Sequence, residues 1–146
     1  EILPSDWSSD VCSSDLGAFI FTADLIRLIK VPCTVEFISA SSYGAGTSSS
    51  GTVELSHSIS VGNRHVLLVE DIVDTGLTMH RIVSELSTQK PASIGICTLL
   101  DKPSLRNYPV SISYTGFTVP DRFLVGYGMD HATRYRNLPF IGTLEP

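Results

Sequence analysis

Three carboxylates, Glu70, Asp71 and Asp74, lie directly after the apolar run Val66-Leu67-Leu68-Val69 and directly before Thr75-Gly76-Leu77-Thr78. An apolar run ending in acid, then a Thr-Gly turn, then an amphipathic segment reads as a strand, a tight loop and a helix N-terminus. Open α/β sheets bind ligands at such strand ends, where the first helix amides and the helix dipole favour phosphate. Thr75, Gly76, Leu77 and Thr78 are expected to wrap a phosphate, with Gly76 allowing close backbone approach and the two threonines adding hydroxyls. Glu70 and Asp71 suit the hydroxyls of a sugar, directly or through Mg2+, which takes one or two protein carboxylates together with substrate oxygens and water. The plainer alternatives are a solvated acidic turn and a helix capped by Thr75; capping alone leaves the three acids unexplained.

Other chemistries are excluded by pattern. Position 77 is Leu where a nucleotide-binding P-loop needs Lys. Gly44-Ala45-Gly46 lacks the third glycine of a dinucleotide fingerprint, position 49 being Ser. The four histidines show no metal-ligand spacing, the three cysteines no CxxC pair, and no G-x-S-x-G elbow occurs.

The elements that must position the acids follow from periodicity. Ala18 to Ile29 predicts a mostly buried helix that ends before Pro32. Thr34 to Ala40 predicts a strand, Ser41 to Gly51 a Gly/Ser-rich loop, and Thr52 to Ile59 a second strand. After a turn at Gly62-Asn63, His65 to Val69 has the continuous apolar character of a strand covered on both faces. Met79, Ile82, Val83 and Leu86 mark a helix over Thr78 to Thr88, stopped by Lys90-Pro91. Ser93 to Leu100, Ile112 to Phe117, Phe123 to Val125 and Phe140 to Leu144 predict the remaining strands. The alternation makes the chain α/β with a mainly parallel sheet flanked by helices.

Beyond the 66–78 run, Ser42-Tyr43-Gly44, Leu100-Asp101-Lys102-Pro103, Pro120 to Asp130 (PDRFLVGYGMD) and Tyr135-Arg136-Asn137-Leu138 occur in order. From about Gly17 onward the chain resembles the type I phosphoribosyltransferases, and among them the hypoxanthine-guanine phosphoribosyltransferase family. The resemblance implies purine salvage: transfer of the phosphoribosyl group of 5-phosphoribosyl 1-diphosphate to N9 of hypoxanthine or guanine, giving IMP or GMP and pyrophosphate. It implies that Asp74 is the general base facing the purine N7 proton. Lys102 would donate to the 6-oxo group, Phe123 would stack on the base, and Leu124 would present backbone to its edge. Asp130 would lie near a second magnesium and the purine 2-position, so that Glu70, Asp71 and Asp130 are the metal-associated carboxylates. Arg136 and the loop at Gly17 would hold pyrophosphate, and Ser42-Tyr43 would open a mobile lid over residues 41–51 that, closed, excludes water from the reacting sugar. A small hood, a cytoplasmic location and a homodimer or homotetramer are also implied. For Phe123, plain core packing is the alternative. Tyr127 and Tyr135 read as structural.

At 146 residues the chain has the size of one domain, and 42% hydrophobic with 17% charged residues fits a globular protein. A net charge of −5 argues against nucleic-acid and anionic-membrane partners. No apolar run is long enough to cross a membrane, and the odd cysteine count reads as free thiols in a reducing compartment. Residues 1–16 (EILPSDWSSDVCSSDL) stand apart: Ser-Ser-Asp recurs, no period holds, and the stretch resembles translated sequencing adapter rather than protein. The domain is therefore expected at 17–146, with 1–16 non-native. Ser- and Asp-rich sequence makes a poor central strand, so the first core strand is expected to be missing. Two further readings stay open: a non-catalytic nucleotide-binding regulator on the same fold, and an inert fragment.

Overall fold

The computed structural model describes residues 9–13, 16–38, 40–41, 54–55 and 59–144. In chain order the elements are β1 (Ser9–Ser13), a 3-10 turn (Leu16–Ala18), α1 (Phe19–Ile26), β2 (Cys33–Phe37), β3 (Ala40–Ser41), β4 (Glu54–Leu55), β5 (His65–Val73), α2 (Leu77–Ser87), β6 (Ser93–Asp101), a second 3-10 turn (Pro103–Leu105), β7 (Tyr114–Thr118), β8 (Leu124–Val125) and β9 (Gly142–Thr143). A parallel sheet of five strands runs in the order β2-β1-β5-β6-β7. Two short antiparallel ribbons, β3 with β4 and β8 with β9, stand apart from it.

Alternation along β5 explains why its apolar residues form an unbroken run. Val66 and Leu68 face one core cluster with Met79, Ile82 and Leu86 of α2. Leu67 and Val69 face the opposite cluster, which Phe21 and Leu25 of α1 cover. Leu68, Ile82 and Leu86 are fully buried, and burial of each contributes about 1.5–3 kcal/mol. From β1 the chain steps outward to β2, then returns to the other side of β1 to build β5, β6 and β7. The order therefore reverses between β1 and β5, and the crevice beyond their C-terminal ends is where a sheet of this kind takes its ligand.

The structure corrects three expectations about elements. The first core strand is present: Ser9–Ser13 lie between β2 and β5, in register Val11↔Val35 and Val11↔Leu67. Val11 and Cys12 supply buried side chains there. The misfit that the sequence foretold survives as a local fault: Asp10 is buried to 1% exposure, held by Thr34 and by Arg64 at 2.5 Å, and its Oδ2 finds no hydrogen-bond partner. Second, α1 is not mostly buried. Thr22 is the one residue of the helix proper that is fully covered, and Leu28 beyond it is 74% exposed. Beside its packed face, Phe21, Leu25 and Leu28 border an open apolar groove of about 440 Å³ that Leu99 and Phe117 of the sheet also line. Third, β5 continues to Val73 rather than ending at Val69. Elsewhere boundaries move by one to three residues: α1 ends at Ile26, β2 ends at Phe37, α2 begins at Leu77, β6 gains Asp101, and β7 begins at Tyr114. The turn at Gly62-Asn63 forms, with Asn63 at φ 59.

Candidate functional site

The extension of β5 carries Glu70 and Asp71 on the strand itself. Glu70 is 5% exposed and pairs in register with Thr98 of β6. Asp71 is half-buried, and its Oδ1 accepts the Ile72 amide at 2.7 Å. Its other oxygen lies against Gly17, where a Cβ would stand 1.9 Å from Oδ2. Gly128 packs on the far side of Gly17: a Cβ at 128 would come within 2.3 Å of the Gly17 carbonyl oxygen. The loops at Gly17 and Gly128 and the end of β5 thus meet where only hydrogen atoms fit, and the loop at Gly17 is fixed beside the acids at the β1/β5 switch point.

Past Val73 the chain turns. Asp74 is exposed, and its Oδ1 accepts the Thr75 amide at 2.5 Å. Gly76, at φ 83, caps α2 in a left-handed conformation that side chains rarely adopt. The Thr75 hydroxyl is 3.4 Å from the Leu77 amide, a weak cap at best. The first bond of the helix runs from the His80 amide to the Gly76 carbonyl at 2.9 Å. The amides of Leu77, Thr78 and Met79 precede that bond and are the donors a helix N-terminus offers an anion. Gly76 is also closely approached by the chain itself. A Cβ there would meet the Tyr108 carbonyl at 2.8 Å, Arg106 Cδ at 2.9 Å and Val110 at 2.9 Å. Its bareness therefore serves packing by the chain's own 106–110 segment.

That segment is what sequence reasoning missed. Arg106 sends Nε to the Asp74 carbonyl at 2.9 Å and Nη2 to the Val73 carbonyl at 3.3 Å, and it pairs with Asp101. The Asn107 and Tyr108 amides both reach the Thr75 carbonyl, at 3.0 and 2.9 Å. An arginine four residues after Lys102 has no periodicity to single it out. The tight Thr-Gly turn, whose carbonyls need donors, was the available signal.

Lys102 is 8% exposed. Its amide donates to the Val73 carbonyl at 2.9 Å, and Nζ donates to the Arg122 carbonyl at 2.5 Å with Asp121 at 3.8 Å. This one residue joins the end of β5 to the segment carrying Phe123. Phe123 is not core: it is 53% exposed and makes an edge contact with His131, centroids 5.1 Å apart and planes at 87°. The two rings line an open depression of about 840 Å³ with Asp121, Arg122 and Tyr135. Leu124 is half-buried and pairs with Thr143 across the β8–β9 ribbon.

Asp130 and Arg136 come together on the loop before that ribbon closes. Their carboxylate and guanidinium are 2.7 Å apart, Asp130 also accepts the Thr133 amide at 2.8 Å, and Arg136 Nη1 donates to the Gly128 carbonyl at 2.7 Å. Among the described residues no three His, Cys, Asp or Glu side chains gather as a metal cluster, so Glu70, Asp71 and Asp130 do not form one. Ser42 and Tyr43, with the lid beyond Ser41, lie outside the described residues. Tyr127 acts structurally: its hydroxyl donates to Asp24 of α1. Burial, then that bond, pushes the phenol up to about 12, and the same bond holds the Asp24 carboxyl below its usual range. Among the described residues no helix is long and apolar enough to cross a membrane, and the three cysteines are free thiols.

The phosphoribosyl transferase domain family matches residues 14–132. Hypoxanthine-guanine phosphoribosyltransferase of Mycobacterium avium is 49% identical over 132 residues, which are 89% of this chain and 65% of that protein. The hypoxanthine phosphoribosyltransferase of Haemophilus influenzae is 46% identical over 128 residues, 86% of this chain and 72% of that one. Among solved structures, a Bacillus anthracis hypoxanthine-guanine phosphoribosyltransferase with HEPES in its active site superposes with a TM-score of 0.85 at 45% identity, covering 94% of this chain and 82% of that one. A Staphylococcus aureus hypoxanthine phosphoribosyltransferase does so with a TM-score of 0.89 at 40% identity, over 97% and 78% of the two chains. This chain spans about two thirds of the length of the curated relatives it matches. It belongs to the phosphoribosyl transferase domain family, in the group of the hypoxanthine-guanine phosphoribosyltransferases.

Proposed function

We propose that this chain carries the catalytic core of a purine-salvage transferase that moves the phosphoribosyl group of 5-phosphoribosyl 1-diphosphate onto N9 of hypoxanthine or guanine. The observation that carries the reading is Lys102, whose amide is bonded to the end of β5, the strand bearing Glu70 and Asp71, and whose ammonium is bonded to the segment of Phe123. That linkage sets a phosphate-and-sugar half-site beside a base half-site.

Each residue then has a task. The amides opening α2, with Thr75 and Thr78, hold the 5′-phosphate. Glu70 and Asp71 engage the ribose hydroxyls. Asp74, exposed at the turn, accepts the N7 proton as the base attacks the anomeric carbon and offsets the positive charge growing there. Lys102 donates to the 6-oxo group and so disfavours adenine, whose amino group would offer that donor no acceptor. Phe123 stacks on the base, Leu124 meets its edge, and Asp130 lies toward the 2-position. Arg136 and the Gly17 loop take the pyrophosphate, a planar guanidinium suiting such an anion. Positioning and electrostatics account for most of the rate.

The neighbouring carboxylates of Glu70 and Asp71 fit Mg2+ held mainly by substrate oxygens. Asp130 would serve a second ion. When bound, Mg2+ neutralises charge on the departing diphosphate. The proposal extends to a cytoplasmic homodimer or homotetramer. It assigns 17–146 to native domain sequence, 41–51 to a lid headed by Ser42 and Tyr43, and 1–16 to a segment of foreign sequence whose residues 9–13 occupy the β1 place in the sheet.

An absorbance assay for IMP from hypoxanthine, 5-phosphoribosyl 1-diphosphate and Mg2+ tests the reading. IMP formation supports it. Tight binding of the diphosphate sugar without turnover would favour a regulator on the same fold.

A further inference from the structure

We propose that Arg106 is a positioning residue that locks the Asp74 turn to the strand end bearing Lys102. Its guanidinium spans both. On one side it donates to the carbonyls of Val73 and Asp74 at 3.3 and 2.9 Å. On the other it pairs with Asp101, the residue before Lys102, whose own amide donates to the Val73 carbonyl. The contact is sheltered, with Arg106 and Asp101 side chains 19% and 17% exposed. A planar fork with several donors can reach these acceptors at once; an ammonium is a single point. The segment reinforces the grip through the amides at 107 and 108 on the Thr75 carbonyl, and Gly76 leaves room for Arg106 Cδ. Arg106 thus fixes the backbone from which Asp74 projects relative to the backbone from which Lys102 projects, touching neither side chain's working atoms.

The kinetic consequence rests on the phosphoribosyl-transfer reading; the mechanical one does not. Arg106→Gln, Arg106→Lys and Asp101→Asn are compared with the intact chain, with Arg81→Gln on α2 as control. Two readouts are taken: steady-state IMP formation, and amide hydrogen exchange resolved over residues 74–77 and over 67–69. In Arg106→Gln, kcat falls about a hundredfold, the scale of a roughly 1 Å misplacement, while KM for each substrate moves less than threefold. Exchange over 74–77 rises about tenfold, the scale of one lost charge-assisted hydrogen bond, and exchange over 67–69 stays at the parent rate. Arg106→Lys fails to restore kcat, and Asp101→Asn falls between. If Arg106→Gln does not fold, Asp101→Asn decides by the same two readouts. Parent-like kcat and parent-like exchange over 74–77 in either folded variant overturn the proposal. If the parent makes no IMP but exchange over 74–77 still rises in the variants, the clamp stands and the transfer reading fails.

Discussion

Gly17→Ala isolates the contact that brings the first loop of the site onto its acids. The backbone at Gly17 carries no left-handed φ, so alanine meets no conformational strain and the effect is steric. The new Cβ would stand 1.9 Å from Asp71 Oδ2, where ordinary contact begins at 3.4 Å, so one partner must move by about 1.5 Å. Gly17 cannot retreat, because Gly128 already packs against its carbonyl. The carboxylate therefore swings away from the position in which it would meet the sugar. A misplacement near 1 Å costs on the order of a hundredfold in rate, equivalent to about 2.7 kcal/mol of transition-state stabilisation. The stability cost is separate, about 1–3 kcal/mol for crowding a packed contact. Both are measured on one preparation: kcat/KM for 5-phosphoribosyl 1-diphosphate by IMP absorbance, and Tm by scanning calorimetry. A double-mutant cycle with Asp71→Ala then asks whether the two losses are coupled. The expected result is a hundredfold loss in Gly17→Ala that shrinks to a few fold once Asp71 is alanine. A folded Gly17→Ala enzyme within threefold of the parent, or losses that simply add, would refute the steric argument.

Three further outcomes follow from the same geometry. Asp74→Asn should lower turnover by about 10²–10⁴, the range for loss of a general base, with affinity for the diphosphate sugar within threefold by calorimetry; unchanged turnover removes Asp74 from the mechanism. Asp10→Val should raise Tm by roughly 2–4 °C, since it removes a buried oxygen lacking a partner while Arg64 stays partly exposed to water; a fall in Tm would contradict the reading of β1 as a misfit strand. Burial pushes the Cys12 thiol up to about 12 and Cys97 up to about 11, so at pH 8 a disulfide reagent should titrate Cys33 quickly and the other two only on unfolding. Because those folded values are raised, the stability they contribute is whole below the ordinary thiol range near pH 8.5–9 and lost as pH climbs through 11 to 12. Fast reaction of all three thiols at pH 8 would contradict this.

Much of this site was legible because its physics is local. The run from Val66 to Thr78 states its own strand, turn and helix, and α2 appears with Met79, Ile82 and Leu86 buried as their spacing required. What the sequence concealed depends on partners distant along the chain. Glu70 and Asp71 looked like loop residues because polar side chains seldom end a buried strand, yet β6 extends alongside and keeps β5 paired to Val73. The apolar character of α1 suggested burial on most sides, whereas Phe21, Leu25 and Leu28 border an open groove. Ser9–Ser13 looked unfit for a central strand; Val11 and Cys12 suffice to fill the position, and the unfitness is confined to Asp10. No pattern around Arg106 itself points to it, since its value lies in carbonyls more than thirty residues earlier.

On the proposed function, the strand end and helix start over residues 70–78 grip a phosphorylated pentose. A crystal structure of the protein soaked with 5-phosphoribosyl 1-diphosphate tests it directly. Density for the 5′-phosphate against the amides of 76–79, with the ribose beside Glu70 and Asp71, is the expected result. Ordered ligand seated anywhere else, with that crevice vacant, would contradict it.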